Sequence, residues 1–143
     1  MGYLTGKTAI ITGGGYAALS DGNCGSIGYG IATAYAKEGA NLVITGRNKG
    51  KLDKAKEELE KLYGIKVLAV PANIESGADN EAVAKSVVDA AVKEFGRIDV
   101  LINNAQASAS GVTIQDHTTE QFDLAIYSGL YAAVYYMNAC YPY

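Results

Sequence analysis

One stretch, residues 7–47, constrains the fold of this chain more than any other. An apolar run at residues 8–12 leads into a glycine-rich segment, a helical pattern starts near Ile27, and a second apolar run covers residues 41–45. Near-continuous apolar runs of this length are typical of strands that are covered on both faces of a sheet. The stretch therefore predicts a strand, a glycine-rich turn, a helix and a second strand, in that order.

The glycines between the first strand and the first helix indicate a phosphate-binding turn. Backbone N–H groups can approach a pyrophosphate only where side chains are small or absent, and the start of a helix adds N–H groups and the positive end of its dipole. Gly28 and Gly30 fall in the first turn, where glycine costs about 1 kcal/mol relative to alanine, so we expect a ligand or a strand close by. This order of elements is the unit that binds a dinucleotide.

Strand and helix patterns alternate along the rest of the chain. We predict strands at residues 8–12, 41–45, 66–70 and 98–102, and helices at residues 26–37, 50–63, 81–95 and from about 119 to 139. Gly39, Gly64 and Gly96 end the first three helices, and the last strand is apolar enough to be fully buried. The alternation indicates an α/β fold with a doubly wound parallel sheet. Without repeats or linkers, we expect one domain over residues 1–143.

Charge and composition argue against several classes of protein. The net charge is −3, without the basic excess of nucleic-acid-binding proteins, so we expect no nucleic-acid partner. No apolar run approaches the roughly 18 residues of a membrane span and no signal-peptide pattern is present, so we expect no membrane contact and a cytoplasmic location. Cys24 and Cys140 lie far apart, which indicates free thiols and no metal site. His117, the sole histidine, is interpreted as a polar residue at a helix entry.

Four segments together resemble the N-terminal half of the short-chain dehydrogenase/reductase family. They are Thr12-Gly13, SIGYGIA at residues 26–32, ITGRN at residues 44–48 and FGRIDVLINNA at residues 95–105. The resemblance covers essentially the whole chain and implies a Rossmann-like sheet with the strand order 3-2-1-4. It also implies an oxidoreductase that transfers a hydride between NAD(P) and a carbonyl, an alcohol or an activated double bond. A small-molecule substrate and a homo-oligomer are expected on the same ground.

The glycine turn departs from the family's usual TGxxxGIG form. A longer segment separates Gly13 from Ser26, and SIGYGIA is similar to the divergent enoyl-reductase branch, in which a serine replaces the middle glycine. By this resemblance Gly13, Ser26, Ile27 and Gly28 would line the cofactor pyrophosphate. The extra residues 14–25 are either a floppy surface insertion or a lid over the nucleotide, and the sequence leaves both open.

Arg47 indicates a preference for NADP(H). In dinucleotide folds an acidic residue at the end of the second strand binds the ribose 2′-hydroxyl and selects NAD. Here Gly46 and Arg47 occupy that place, so no carboxylate repels a 2′-phosphate and the guanidinium can pair with it in bidentate fashion. The alternative is an exposed arginine without a ligand. Asn48 belongs to the same matching segment and is included among the expected cofactor contacts.

Two later segments complete the expected cofactor site. Asn73 and Ile74 resemble the place where the family contacts the adenine, although an asparagine at this point is also a common turn residue. Residues 103–106 resemble the family's Asn-Asn-Ala-Gly signature. By that resemblance Asn104 and Ala105 would sit beside the nicotinamide ribose, and the asparagines would also tie strand ends together.

The residues that carry the family's chemistry are absent from this chain. The family uses a serine and a Tyr-x-x-x-Lys pair, in which the lysine lowers the pKa of the tyrosine that transfers a proton, and all three would follow Tyr143. Tyr3 and Lys7 have this spacing but precede the first strand, and we interpret them as a coincidence. Gly129 stands where the family often has an asparagine, and Gln106 replaces the signature glycine. We therefore predict nucleotide binding, and no activity from this chain alone.

The missing half also has a structural consequence. In the order 3-2-1-4 the fourth strand lies at a sheet edge, and an unpaired strand of the buried type invites association. The apolar face of the last helix, with Leu130, Val134 and Met137, would also lack part of its cover. We therefore expect a fragment or truncated form of a longer chain. The alternatives to an enzyme are a nucleotide-binding half-domain without turnover and a half-fold that pairs with another chain through its exposed edge.

Overall fold

The computed structural model describes residues 2–20, 22, 25–74 and 79–143, and within them strands and helices alternate as predicted. In chain order the elements are β1 Thr8–Thr12, α1 Ile27–Lys37, β2 Asn41–Gly46, α2 Lys49–Tyr63, β3 Val67–Pro71, α3 Asn80–Phe95, β4 Val100–Ile102, α4 Thr119–Ala125 and α5 Ala132–Cys140. A π-helical segment, Ile126–Tyr131, joins α4 to α5. Most element ends differ from the predicted ones by only one or two residues.

The strands form one parallel sheet in the order β3-β2-β1-β4, which confirms the predicted α/β fold and strand order. β1 lies inside the sheet, with β2 on one side and β4 on the other, and all five of its residues are buried. The chain progresses outward from β1 to β3 and then returns to place β4 on the other side of β1. Such a reversal leaves a crevice at the carboxyl ends of the strands, where open α/β sheets bind ligands.

Two apolar layers cover the sheet because successive strand side chains point to opposite faces. On one face Ile11 and Ile44 pack with the buried side chains of α1 and α2. On the other face Ile10 and Val43 pack with α3 and α5. Helical spacing in the sequence predicts one apolar face for each helix, and these faces are buried for the most part, including Leu52, Ala55, Leu59, Val87, Val88 and Ala91. The prediction is wrong for Ile27 and Leu62, which lie on the same predicted faces but at helix ends and are exposed.

Local signals explain where the helices begin and end. A polar side chain accepts a backbone N–H at the start of each helix from α1 to α4, namely Ser26, Asn48, Asp79 and Thr118. A glycine with positive φ lies just beyond each of the first three helices, namely Gly39, Gly64 and Gly96. Polar N-caps and left-handed glycine C-caps satisfy backbone groups that a helix leaves unpaired at its ends.

The structure corrects two predictions about the end of the chain. β4 spans Val100–Ile102 only, and its residues are partly exposed rather than fully buried, because this edge strand pairs with β1 alone. The last helix is not a continuous α-helix, since the segment Ile126–Tyr131 is π-helical. In a π-helix each N–H reaches one residue further back, so the helix beyond it is rotated relative to an unbroken α-helix.

Further observations concern the cysteines and the length of the helices. Cys140 has a free thiol, and burial raises its pKa to about 11. Cys24, the other cysteine, lies outside the described residues. Throughout the described ranges, no helix combines the length and the apolar character that crossing a membrane requires.

Candidate functional site

A cavity of about 930 Å³ opens at the carboxyl ends of the four strands. Its walls come from the glycine turn, the start of α1, the segments that follow β2, β3 and β4, and the inner face of the π segment and α5. All ten residues predicted as cofactor contacts line it: Gly13, Ser26, Ile27, Gly28, Arg47, Asn48, Asn73, Ile74, Asn104 and Ala105. The fold thus gathers these separate segments at one site, and their contact with a cofactor stays a prediction.

The glycine turn and α1 are in direct backbone contact. A Cβ atom on Gly28 would clash with the carbonyl oxygen of Gly13. Gly13 itself has a φ of +71°, and a Cβ there would lie 2.8 Å from Nδ2 of Asn104. Gly30 is different, because a Cβ at this exposed position would meet nothing within 4 Å. Close approach of the chain itself is therefore correct for Gly28 and wrong for Gly30.

The start of α1 presents N–H groups to the cavity. Ser26 accepts the N–H of Tyr29 on its Oγ atom at 3.3 Å and the N–H of Gly30 on its carbonyl oxygen at 3.1 Å. Within the described ranges, the N–H groups of Ile27 and Gly28 have no hydrogen-bond acceptor, as is usual at a helix start. Free N–H groups at the positive end of a helix dipole suit a phosphate.

The segment after β2 gives this end of the cavity its positive charge. Arg47 is exposed, and Lys51 lies one turn further on, in the first turn of α2. Neither cation forms an ion pair with any residue that the structure describes. Asn48 caps α2, with its Oδ1 accepting the N–H of Lys51 at 3.0 Å. Since no carboxylate of the described chain lines the cavity, its field favours an anionic ligand.

Thr12, at the end of β1, fixes the wall that follows β4. Its Oγ1 accepts the N–H groups of Asn104 and Ala105, both at 2.9 Å, and donates to the carbonyl of Ile102 at 3.3 Å. The side-chain amide of Asn104 donates to the Thr12 carbonyl oxygen at 2.9 Å. The predicted role of Asn104 in tying strand ends together is thereby confirmed.

The π segment contacts the same wall from the helix side. Oγ of Ser128 accepts the N–H of Ala107 at 2.9 Å. A Cβ atom on the neighbouring Gly129 would lie 3.4 Å from Cγ of Gln106. A residue without a side chain in the helix thus leaves space for the long side chain that replaces the signature glycine.

The loop after Gly13 is anchored where the structure describes it. The N–H of Tyr16 donates to the Lys51 carbonyl oxygen at 2.9 Å. The rings of Tyr16 and Tyr29 pack edge to face, with their centroids 5.3 Å apart. The ammonium of Lys54 lies 3.8 Å from the centroid of the Tyr16 ring. Four loop residues line the cavity, namely Gly15, Tyr16, Ala17 and Gly25. The described part of the loop is therefore a wall of the site; the predictions of a floppy insertion or a lid also involve residues 21, 23 and 24, which lie outside the described ranges.

Tyr136, on the α5 side of the cavity wall, does not have the properties of an activated proton donor. Tyr136 is buried, and burial raises its pKa to about 12, so its phenol stays protonated at neutral pH. Tyr3 is exposed and precedes β1, so it lies at the amino ends of the strands, whereas the cavity lies at their carboxyl ends. Lys7, its partner in the Tyr-x-x-x-Lys spacing, forms an ion pair with Asp99 at 3.2 Å. This placement agrees with the interpretation of that spacing as a coincidence.

His117 and the acidic residues form no metal centre in the described part of the chain. His117 is exposed before α4, and its Nδ1 lies 3.0 Å from the carbonyl oxygen of Thr113. No group of three or more potential ligands is clustered among the described residues. This position agrees with the interpretation of His117 as a polar residue at the start of a helix.

Sequence reasoning missed three residues that shape the cavity. Thr12 carries the hydrogen bonds to the β4 wall, Lys51 adds a second cation beside Arg47, and Ser128 reaches Ala107. Thr12 and Lys51 could have been found, because one adjoins the glycine turn and the other lies one helical turn beyond Arg47. Ser128 gave a weaker signal, a polar residue inside an apolar helix pattern.

The fold and the cavity together define a class. A parallel sheet of order 3-2-1-4, with a glycine turn after its inner strand and a cavity where the strand order reverses, is the Rossmann-like class of folds. The family model of the short chain dehydrogenases matches residues 7–143. This chain therefore belongs to the short-chain dehydrogenase/reductase family, whose members are oxidoreductases, as the resemblance implied.

Comparison with curated proteins gives more specific relatives. The chain is 61% identical to a 12alpha-hydroxysteroid dehydrogenase of Clostridium sp. (strain ATCC 29733 / VPI C48-50), over 100% of the chain and 52% of that protein. It is 34% identical to general stress protein 39 of Bacillus subtilis (strain 168), over 92% of the chain and 42% of the relative. The chain thus spans about half the length of the curated relatives it matches.

Solved structures of similar fold hold both nicotinamide coenzymes. The L-sorbose reductase of Gluconobacter frateurii, complexed with NADPH and L-sorbose, has a TM-score of 0.80 and 30% identity over 99% of this chain and 48% of its own. An NAD⁺-bound xylitol dehydrogenase has a TM-score of 0.80 and 25% identity over 96% of this chain and 48% of its own. The fold alone therefore does not select one coenzyme.

Proposed function

We propose that residues 1–143 form a single domain that is the coenzyme-binding half of an NADP(H)-dependent oxidoreductase. One observation carries the choice of coenzyme. Arg47 follows β2 and lines the cavity, and it forms no ion pair with any residue of the described chain. No described carboxylate lines the same cavity. A 2′-phosphate carries the charge that distinguishes NADP from NAD, and a guanidinium can bind it through two parallel hydrogen bonds. Lys51 supports the same choice with a second cation.

The remaining cavity residues fit the rest of the coenzyme in this proposal. The free N–H groups at the start of α1 and the turn at Gly13 receive the pyrophosphate. Asn73 and Ile74 contact the adenine, and Asn104 and Ala105 lie beside the nicotinamide ribose. The coenzyme supplies the hydride donor or acceptor, and the residues of this chain bind and orient it. In this proposal the proton-transfer group lies in the part of the protein that residues 1–143 do not span, since the chain covers only about half the length of its relatives.

For the substrate we propose the secondary alcohol of a hydroxysteroid and the corresponding ketone. Identity of 61% across the whole chain with a 12alpha-hydroxysteroid dehydrogenase supports this class over the sugar and the sugar alcohol named for two less similar proteins, an L-sorbose reductase and a xylitol dehydrogenase. The complete protein is expected to reduce NADP⁺ in the presence of a 12α-hydroxysteroid. Turnover of a 3-hydroxysteroid that lacks the 12α-hydroxyl, with none of the 12α compound, would refute the proposed substrate.

Arg47→Asp tests the coenzyme assignment. The variant replaces a partner of the 2′-phosphate by a repelling carboxylate, so NADPH affinity is expected to fall about 10- to 100-fold, as loss of charge-assisted hydrogen bonds implies. NADH affinity should rise or stay constant. Fluorescence titration of the reduced coenzymes measures both. Lys61→Asp, which makes the same change of charge on α2 outside the cavity, is the control. Equal effects of the two variants, or an unchanged NADPH to NADH ratio in Arg47→Asp, would contradict the assignment.

A second candidate function is association without turnover, through the uncovered edge of the sheet. Among the described strands β4 pairs with β1 alone. Three apolar residues of the predicted last helix are exposed, namely Leu130 at 62%, Val134 at 39% and Met137 at 52%. Of these, Met137 borders residues 98–101 at the β4 edge, whereas Leu130 lines the cavity. Burial of such side chains in an interface would stabilise a homo-oligomer or a complex with another chain. Binding of NADPH is compatible with this candidate, so coenzyme titration alone does not separate the two.

A further inference from the structure

Two hydroxyl groups hold the wall that follows β4, one from each side. Thr12 accepts the N–H groups of Asn104 and Ala105 from the strand side. Ser128 accepts the N–H of Ala107 from the helix side, at 2.9 Å. Both hydroxyl-bearing residues are at least nine-tenths buried, Thr12 at 4% and Ser128 at 8% exposure. The backbone between them, residues 104–107, lines the cavity along its whole length.

The contact of Ser128 goes beyond what a serine inside a helix ordinarily makes. Such serines commonly donate to the carbonyl four residues back, and the Ser128 hydroxyl does lie 2.7 Å from the Leu124 carbonyl oxygen. In addition, Oγ accepts the Ala107 N–H, and it lies 3.2 Å from the Ala107 carbonyl oxygen. One hydroxyl thus links two backbone segments that are 21 residues apart.

Ser128 contacts the loop from within the π segment. Ser128 and Gly129 both belong to Ile126–Tyr131, and π segments inside helices are frequent at functional sites. Gly129, next to Ser128, lets the helix approach Gln106. A Cβ atom added to Gly129 would lie 3.4 Å from Cγ of Gln106. The helix and the loop therefore meet at a joint made of Ser128 and Gly129 on one side and residues 106–107 on the other.

We infer that Ser128 is a positioning residue of the coenzyme site, which acts through Ala107 and not by touching the reacting atoms. It holds residues 104–107 at a fixed distance from the glycine turn, so that the nicotinamide half of the coenzyme meets a preformed wall. This inference rests on the proposed function, since it assigns the cavity to a dinucleotide.

Ser128→Ala tests the inference with two readouts in the chain. The first is amide hydrogen exchange at Ala107, which is expected to speed up about ten-fold or more once the acceptor is gone. The amides of Asn104 and Ala105, still held by Thr12, serve as internal references. The second is NADPH affinity, which is expected to fall about ten-fold as the wall loosens.

Two further variants keep the test decisive. Ser128→Thr retains the hydroxyl and is expected to preserve both readouts. Ser86→Ala removes the hydroxyl of an exposed serine on α3, which donates to the Val83 carbonyl oxygen at 2.7 Å, and should change neither readout. Circular dichroism confirms that each variant is folded.

The outcomes separate this inference from the proposed function. Unchanged exchange at Ala107 in Ser128→Ala would overturn the inference, and so would faster exchange with unchanged NADPH affinity. Failure of the unaltered chain to bind NADPH would instead overturn the proposed function, while exchange at Ala107 would still show whether Ser128 holds the wall.

Discussion

Glycines that look alike in the sequence have different functions in the structure. Gly28 and Gly30 both lie in the first turn of α1, where glycine disfavours the helix. Gly28 is buried and so close to the Gly13 carbonyl that no side chain fits, whereas the position of Gly30 is exposed and open. Glycine at position 28 lowers the intrinsic stability of the helix, but only glycine allows the start of α1 to pack directly against the backbone at the end of β1.

Gly28→Ala and Gly30→Ala form a matched pair of variants. Gly30→Ala is expected to stabilise the chain by up to about 1 kcal/mol, because alanine favours the helix and meets no neighbour. Gly28→Ala is expected to destabilise it by about 1–3 kcal/mol through overpacking and to abolish NADPH binding. Urea denaturation and coenzyme titration measure the two effects. Similar stabilities of the two variants would show that the turn and the helix are not in contact.

At the scale of elements, one carboxylate fastens the amino ends of β1 and β4. Asp99 accepts the N–H of Thr8 at 2.9 Å, and its own N–H donates to the Thr8 carbonyl oxygen at 2.9 Å. Arg97 donates to both carboxylate oxygens, at 2.8 and 2.6 Å, and Lys7 lies 3.2 Å away. The Arg97 guanidinium holds the pKa of the Asp99 carboxyl well below its usual range. Burial acts in the opposite direction and raises this pKa, whereas the Thr8 N–H and Lys7 lower it further.

Asp99→Asn should therefore change how stability depends on pH. A carboxyl with a lowered pKa in the folded state contributes stability above its unfolded pKa of about 4, and this contribution is lost as the pH falls below that value. We expect the variant to be about 1–2 kcal/mol less stable at pH 7, and the difference to shrink towards pH 2. Urea denaturation at several pH values measures it. Asp53→Asn, which breaks an exposed i,i+4 pair with Lys49, is the control and should change little.

At the scale of the whole molecule, the sheet is covered on both faces but open at the β4 edge. At this edge the exposed side chains of Met137 and Tyr141 line a shallow depression together with residues 98–101. An uncovered edge and an apolar helix face at one place are a natural site of association. Light scattering of the chain is therefore expected to show particles larger than a monomer.

Met137→Glu combined with Tyr141→Glu should convert these particles to monomers, because two charges would be buried in the interface. Ile114→Glu is the control, since this residue is 91% exposed in the loop after β4 and does not line the depression. A chain that is monomeric at all concentrations, or an equal effect of the control, would count against association through this surface.

Much of the fold could be predicted because its signals are local. Apolar runs indicated the four strands, helical spacing indicated the buried helix faces except at the exposed Ile27 and Leu62, and the three glycine C-caps were correct. β4 was predicted too long and too buried, because an apolar run does not reveal that a strand has only one neighbour. The ten predicted site residues meet in one cavity because parallel strands bring their carboxyl ends to the same edge of the sheet.

The sequence by itself determined the alternation of strands and helices, the family, and the positions of the glycine turn and Arg47, since each depends on residues that are close together in the chain. Only the tertiary structure decided that Ser128 meets Ala107, that Gly129 makes room for Gln106 and that Asp99 fastens Thr8. These contacts join residues that are far apart in sequence. Whether they form depends on how helices pack on the sheet, and no local pattern encodes that geometry.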